Sequence, residues 1–285
     1  QDIFSHITNR FEEIASIDPA LLKDVNYLKQ NAGFTGELFL GHLRYGTFGR
    51  NSIENCHPFL RQNNWITRNL VVAGNFNLTN VDELFDVLLE LGQHPKEKSD
   101  TVTVLEKIGH FLDNENQQLF DDLKGKGLTN QEITLKIAEK LDLERILKRA
   151  SNDWDGGYAM AGLFGHGDAF VLRDPAGIRP AFWYEDEEIV VVASERPVIQ
   201  TAFKLKREQI KELAPGHALI IKKSGSVNEV LINEPTEELQ CSFERIYFSR
   251  GNDASIYEER KNLGNNVVPK VLEAINNDLD NSVFT

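Results

Sequence analysis

The spacing of apolar residues along the chain changes character near Trp154. Upstream it is mostly helical. Residues 1–35 read as helix, with Pro19 opening the stretch ALLKDVNYLKQ. The breakers Asn31, Gly33 and Gly36 then lead into ELFLGHLR, residues 37–44, an apolar run that predicts a short buried strand ending in polar residues. A loop rich in Gly, Asn and Ser follows, through Cys56-His57-Pro58-Phe59, and Trp65 to Ala73 predicts a second strand. Asn80 is placed to cap the next helix, with Glu83 at capping-box spacing. Leu84, Phe85, Leu88 and Leu91 give its stripe, and Gly92 suits its stop. Residues 100–150 read as amphipathic helix with a polar tip at Lys124-Gly125-Lys126-Gly127.

Downstream of Trp154 the pattern is that of short strands: Tyr158 to Phe164, Ala169 to Arg173, Ala181 to Tyr184, Glu188 to Ala193 and His217 to Ile221. Turns rich in Gly, Asp and Pro separate them at hairpin-like intervals. Strands in a run, with helices segregated elsewhere, predict an α+β layout of antiparallel sheets covered by helices. Residues 225–242, polar and containing Pro235, read as a surface linker, and Ile256 to Leu279 reads as largely helical.

Composition narrows the function classes. The chain has 285 residues and a net charge of −13, which argues against a nucleic-acid groove or an anionic membrane surface. No run approaches the about 18 consecutive apolar residues of a membrane span. The two cysteines, Cys56 and Cys241, make neither a disulfide framework nor a CxxC metal site, so the expected setting is reducing and cytoplasmic. The chain starts Gln1-Asp2-Ile3, its one methionine is Met160, and it stops in an apolar run. Both ends are therefore expected to be cut ends of a longer protein.

Four polar clusters sit at strand ends. Arg44, in RYGT, offers a fixed fork for a carboxylate, or an ordinary surface ion pair. In GNFN, the Asn75 side-chain amide beside the backbone N–H of Phe76 makes two neutral donors. They serve as an oxyanion hole if aimed at one point, and Asn75 and Asn77 otherwise serve as turn formers. Asp100, in KSDT, starts a helix and reads as an N-cap or as a partner for an ammonium group. Arg173 to Pro180 (RDPAGIRP), with its companion ASERP, makes a rigid turn that a structural hairpin would also explain. A carboxylate binder, an ammonium binder and an oxyanion hole are together what an α-amino acid with a reacting side-chain carbonyl requires.

GHLRYGT, GNFNLTN, SDT, RDPAGIRP and ASERP occur in the order and spacing of the class II glutamine amidotransferases, the N-terminal-nucleophile type, which the chain resembles from about residue 37 to its end. RDPAGIRP and CSFERIYFSR, followed by Tyr257 and Arg260, resemble the amidophosphoribosyltransferase (glutamine phosphoribosylpyrophosphate amidotransferase) family in particular. The resemblance implies a four-layer αββα sandwich of the Ntn-hydrolase kind over residues 1–240. Residues 241–285 would pass into an α/β phosphoribosyltransferase domain.

It also implies a mechanism. An N-terminal Cys thiolate, its α-amine acting as base, attacks the glutamine amide. Glutamate leaves through a thioester, and ammonia displaces pyrophosphate from phosphoribosyl pyrophosphate to give phosphoribosylamine, the first step of purine synthesis. Carried over by position, Arg44 would grip the α-carboxylate with Thr47 beside it, Asp100 would hold the α-amine, and Asn75 with the Phe76 N–H would stabilise the oxyanion. The family usually has His-Asn-Gly where this chain has Gly74-Asn75-Phe76, so the Phe76 side chain must turn away from the substrate.

No cysteine lies near residue 1, so the nucleophile is expected upstream and this polypeptide alone is expected to be inactive. Cys241 would be a candidate ligand for the iron–sulfur cluster of some family members, and Mg²⁺ is expected for the phosphoribosyltransferase domain. The expected partners are glutamine, phosphoribosyl pyrophosphate and further copies of the chain. The alternatives are another class II amidotransferase, or a glutamine-binding regulatory module without a nucleophile.

Overall fold

A computed structural model describes residues 2–43, 56–95 and 98–283. The chain opens with α1 (Ile3–Ile17), capped by the Asp2 carboxylate, which accepts the Ser5 N–H at 2.9 Å. A 3₁₀ turn at Pro19–Lys23 leads to α2 (Val25–Asn31), capped in the same way by Asp24. The strand expected from residue 37 is not formed over residues 37–43. Its apolar side chains find no sheet there: Phe39 and Leu43 are 65% and 96% exposed.

The core begins with β1 (Phe59–Arg61) and β2 (Leu70–Leu78), separated by a 3₁₀ turn at Ile66–Arg68. β2 thus starts later than Trp65 and runs straight through Asn75-Phe76-Asn77, so the expected asparagine-rich turn is strand. Then come α3 (Val81–Glu90), α4 (Asp100–Lys124), α5 (Asn130–Lys140) and α6 (Leu143–Ser151). The polar tip at residues 124–127 is the break between α4 and α5. Gly92, at φ +80°, ends α3 in the left-handed conformation that glycine adopts without steric cost. Asn80 precedes α3 but does not cap it with its side chain. Its amide is drawn across to another segment, donating to the Asp153 carbonyl at 2.7 Å and accepting the Asp155 N–H at 3.2 Å.

The remaining elements are β3 (Gly156–Phe164), β4 (Ala169–Arg173), β5 (Phe182–Glu185), β6 (Val190–Ala193), α7 (Arg196–Phe203), β7 (Lys211–Glu212), β8 (His217–Ile221), β9 (Val227–Leu231) and α8 (Ala254–Ala274). The expected linker at 225–242 therefore contains a strand, β9, which pairs with β8 at the sheet edge. A six-stranded sheet runs β1-β2-β3-β4-β8-β9, a three-stranded sheet runs β6-β5-β7, and every pairing is antiparallel.

Strand alternation sorts the core. Leu70, Val72 and Leu78 of β2 pack with Val104, Ile108 and Leu112 of α4 and with Ile146 and Leu147 of α6. On the other face of the large sheet, Val171 and Leu219 meet Trp183 of the small sheet and Ala181 just before it. Phe182 and Tyr184 point the opposite way and pack with Ile199 of α7. Alternate residues of β5 thus serve two separate clusters.

Candidate functional site

Hydrogen bonding in β2 decides which amides are available. At its two ends the Gly165 N–H reaches the Asn69 carbonyl and the Thr79 N–H reaches the Asp155 carbonyl, both at 2.9 Å. The odd-numbered residues of β2 therefore exchange bonds with β3, and the even-numbered ones turn N–H and C=O to the opposite side. Among the described residues, β1 covers that side only opposite Leu70 to Val72. Beyond it, the Gly74 N–H donates to Nδ1 of His57 at 3.3 Å, and the Phe76 N–H faces the same edge.

The side chains alternate in the same way. The half-buried Phe76 ring packs on the core under α4, so it turns away from the edge as the oxyanion role requires. The exposed Asn75 side chain lies on the opposite face, with Ala159. A ligand seated on that face against the edge would meet both donors.

Asp100 is the first residue of α4, not its cap. Ser99 caps the helix, its hydroxyl accepting the Val102 N–H at 3.3 Å. The half-buried Asp100 carboxylate accepts the Thr101 N–H at 2.8 Å and faces the Thr101 hydroxyl at 3.5 Å. Burial pushes its pKa up, against the downward pull of Thr101. Among the described residues it forms no ion pair, so an arriving ammonium would supply the missing countercharge.

Two residues without a sequence signal join these parts. His57 contacts β2 through Gly74, and its Nε2 lies 3.3 Å from the Thr101 hydroxyl. Its ring stacks on His42 at 4.4 Å and stands 5.7 Å from the Phe76 ring. His42 belongs to the GHLR run that leads to Arg44. Arg44 and Thr47, the expected carboxylate grip, lie outside the described residues.

RDPAGIRP borders this site, since Arg173 pairs with Ala159, the partner of Asn75, and with ASERP it makes structural contacts. The buried Arg173 guanidinium donates to the carbonyls of Arg179, Gly177 and Leu213, and Asp174 collects the amides of Tyr158, Ile178 and Arg179. Arg179 pairs with Glu244 at 2.6 Å, Arg196 with Asp253 at 3.4 Å, and Arg250 with Glu195 at 3.2 Å. These pairs bind the segment before α8 to the sheets. Between them lies a cavity of about 230 Å³, with Cys241 in its wall. Among the described residues no group of three His, Cys, Asp or Glu could hold a metal ion, so Cys241 has no companions there for a cluster. No helix among them is long and apolar enough to cross a membrane.

No family model matches the chain. Individual relatives do. An amidophosphoribosyltransferase of Archaeoglobus fulgidus is 29% identical over 234 residues, which is 80% of this chain and 44% of that protein. One of Escherichia coli K12 is 29% identical over 262 residues, 88% of this chain and 47% of that protein. The glutamine phosphoribosylpyrophosphate amidotransferase of B. subtilis, solved with ADP and GMP, matches with TM-score 0.52 and 26% identity, covering 74% of this chain and 38% of that one. The chain spans about half the length of the curated relatives it matches. In sequence and in antiparallel α/β architecture, the chain is a relative of the amidophosphoribosyltransferases.

Proposed function

We propose that this chain is the glutamine-handling part of an amidophosphoribosyltransferase. Its layers form the four-layer sandwich of the Ntn type, and residues from 241 onward lead toward a phosphoribosyltransferase portion. Asp100 holds the α-ammonium of glutamine, Arg44 and Thr47 its α-carboxylate, and Asn75 with the Phe76 N–H the oxyanion of the tetrahedral intermediate. Ammonia released there converts phosphoribosyl pyrophosphate to phosphoribosylamine in the whole enzyme. Mg²⁺ would serve that second reaction. A cytoplasmic homo-oligomer is the form expected.

One observation carries this reading: a single histidine connects the open edge of β2 to the start of α4, so the proposed oxyanion donor and ammonium partner share one corner of the fold. Titrating glutamine into the chain and following amide resonances tests it. Gly74, Asn75, Phe76 and Thr101 are expected to shift, and Asp100→Asn to abolish the response. Shifts confined to other residues, or unchanged in D100N, would rule the reading out.

Thioester chemistry of the N-terminal-nucleophile type needs a cysteine with a free α-amine, and neither Cys56 nor Cys241 has one. The polypeptide Gln1–Thr285 by itself is therefore expected to bind glutamine without hydrolysing it. A second reading is a glutamine-binding module without a nucleophile. Glutamate release by the native gene product decides between the two, since the module would release none.

A further inference from the structure

We infer that His57 is a positioning residue: it sets the open edge of β2 against the start of α4, and so sets the glutamine contacts relative to one another. The inference rests on the proposed glutamine site. Three segments with expected glutamine contacts meet on this one ring. β2 reaches it through the Gly74 amide, one residue before Asn75. α4 reaches it through Thr101, the neighbour of Asp100. The run leading to Arg44 reaches it through the stacked ring of His42.

The bonds have one sense. A backbone N–H can only donate, so Nδ1 of His57 must be the acceptor from Gly74. In the neutral ring Nε2 then carries the proton and donates to the Thr101 hydroxyl. Thr101 in turn can give its own proton to the Asp100 carboxylate, 3.5 Å away. The relay therefore runs from the strand amide, through the imidazole and the hydroxyl, to the carboxylate proposed for the ammonium. A protonated ring has no acceptor left for Gly74, and the strand edge would lose its tie to α4. Among the described residues the titratable groups facing the ring are His42, stacked on it, and Asp100, reached through Thr101; β2 contributes none.

The test uses the whole chain, with glutamine as probe. Long-range ¹H–¹⁵N spectra should show His57 neutral at mildly alkaline pH with the proton on Nε2. The Gly74 amide should exchange slowly, and quickly in His57→Phe, which keeps a ring but no nitrogen. His57→Phe should weaken glutamine roughly tenfold, the worth of one to two hydrogen bonds. His57→Gln, whose amide can both accept and donate, should restore most of that affinity. The wild type should lose affinity more steeply than His57→Gln as the pH falls, because only its imidazole gives up the Gly74 acceptor on protonation.

A proton on Nδ1, or equal glutamine affinity in the wild type and His57→Phe, would overturn the inference while leaving the glutamine site intact. A wild type that binds no glutamine would overturn the glutamine reading instead. In that case the tautomer and the Gly74 exchange rate still decide whether His57 ties the strand to the helix.

Discussion

A Cβ placed on Gly109 would lie 2.5 Å from Cδ of Arg61, and closer still to its Nε. Gly109 is in the middle of α4 and Arg61 ends the edge strand β1. The missing side chain lets the arginine stem cross the helix and pair with Glu106 at 3.1 Å and Asp113 at 2.6 Å. A glycine inside a helix ordinarily gives up about 1 kcal/mol relative to alanine. Here the order should invert. Gly109→Ala is expected to destabilise the chain by roughly 1–2 kcal/mol, because the arginine must leave both carboxylates. In an Arg61→Ala background the same change should stabilise by about 1 kcal/mol. Urea unfolding of the four proteins gives the cycle, and additive changes would refute the account.

Much of this was legible from local pattern. The strands after Trp154 stood out as short apolar runs between turns, and Gly92 and Gly125 ended helices as expected. What was not legible depended on residues far apart. β9 carries exposed Asn228 and Glu229 and only partly buried valines, so an edge strand looked like a linker. ELFLGHLR is apolar enough for a strand, but residues 37–43 form none and leave Phe39 and Leu43 exposed. Asn80 has the sequence of a cap, yet Asp153 and Asp155 outcompete its own helix. His57 carries no local signal at all: its role exists only once β2 and the start of α4 are brought together.

Asp174 gives the sharpest prediction for the fold. It is fully buried and accepts the amides of Ile178 at 2.9 Å, Arg179 at 3.0 Å and Tyr158 at 3.2 Å. Asp174→Ala would strand one buried and two part-buried donors, the buried one costing about 1–3 kcal/mol and the others less. A loss of about 3–5 kcal/mol is expected, enough to remove much of the stability of an ordinary domain. Denaturant titration checks it, and a loss below about 1 kcal/mol would show that water replaces the carboxylate.

Acid stability should depend on Asp168. Burial alone would push its carboxyl up, but His166, Lys222 and the Lys223 amide together hold it down at about 2, against an ordinary 3.8. A lowered folded-state value means that its stabilisation is complete above pH 3.8 and is lost as the pH falls from there toward 2. Asp168→Asn should therefore melt well below the wild type at pH 7, with the gap closing toward pH 2. Parallel melting curves in the two variants would show that Asp168 contributes nothing through its charge.

Asp100 should behave in the opposite sense, as a residue kept for binding. Burial raises its pKa, so the ionised carboxylate at neutral pH is a burden on the empty fold that is relieved as the pH falls. Asn can still accept the Thr101 N–H without the charge. Asp100→Asn is accordingly expected to leave the melting temperature of the empty chain unchanged or slightly raised at pH 7. Glutamine should stabilise the wild type through mass action and leave the variant unmoved. Such a trade, stability held or gained and binding lost, is what a site residue gives and a structural cap does not. A variant that melts lower and still binds glutamine would place Asp100 with Ser99, as part of the helix start and nothing more.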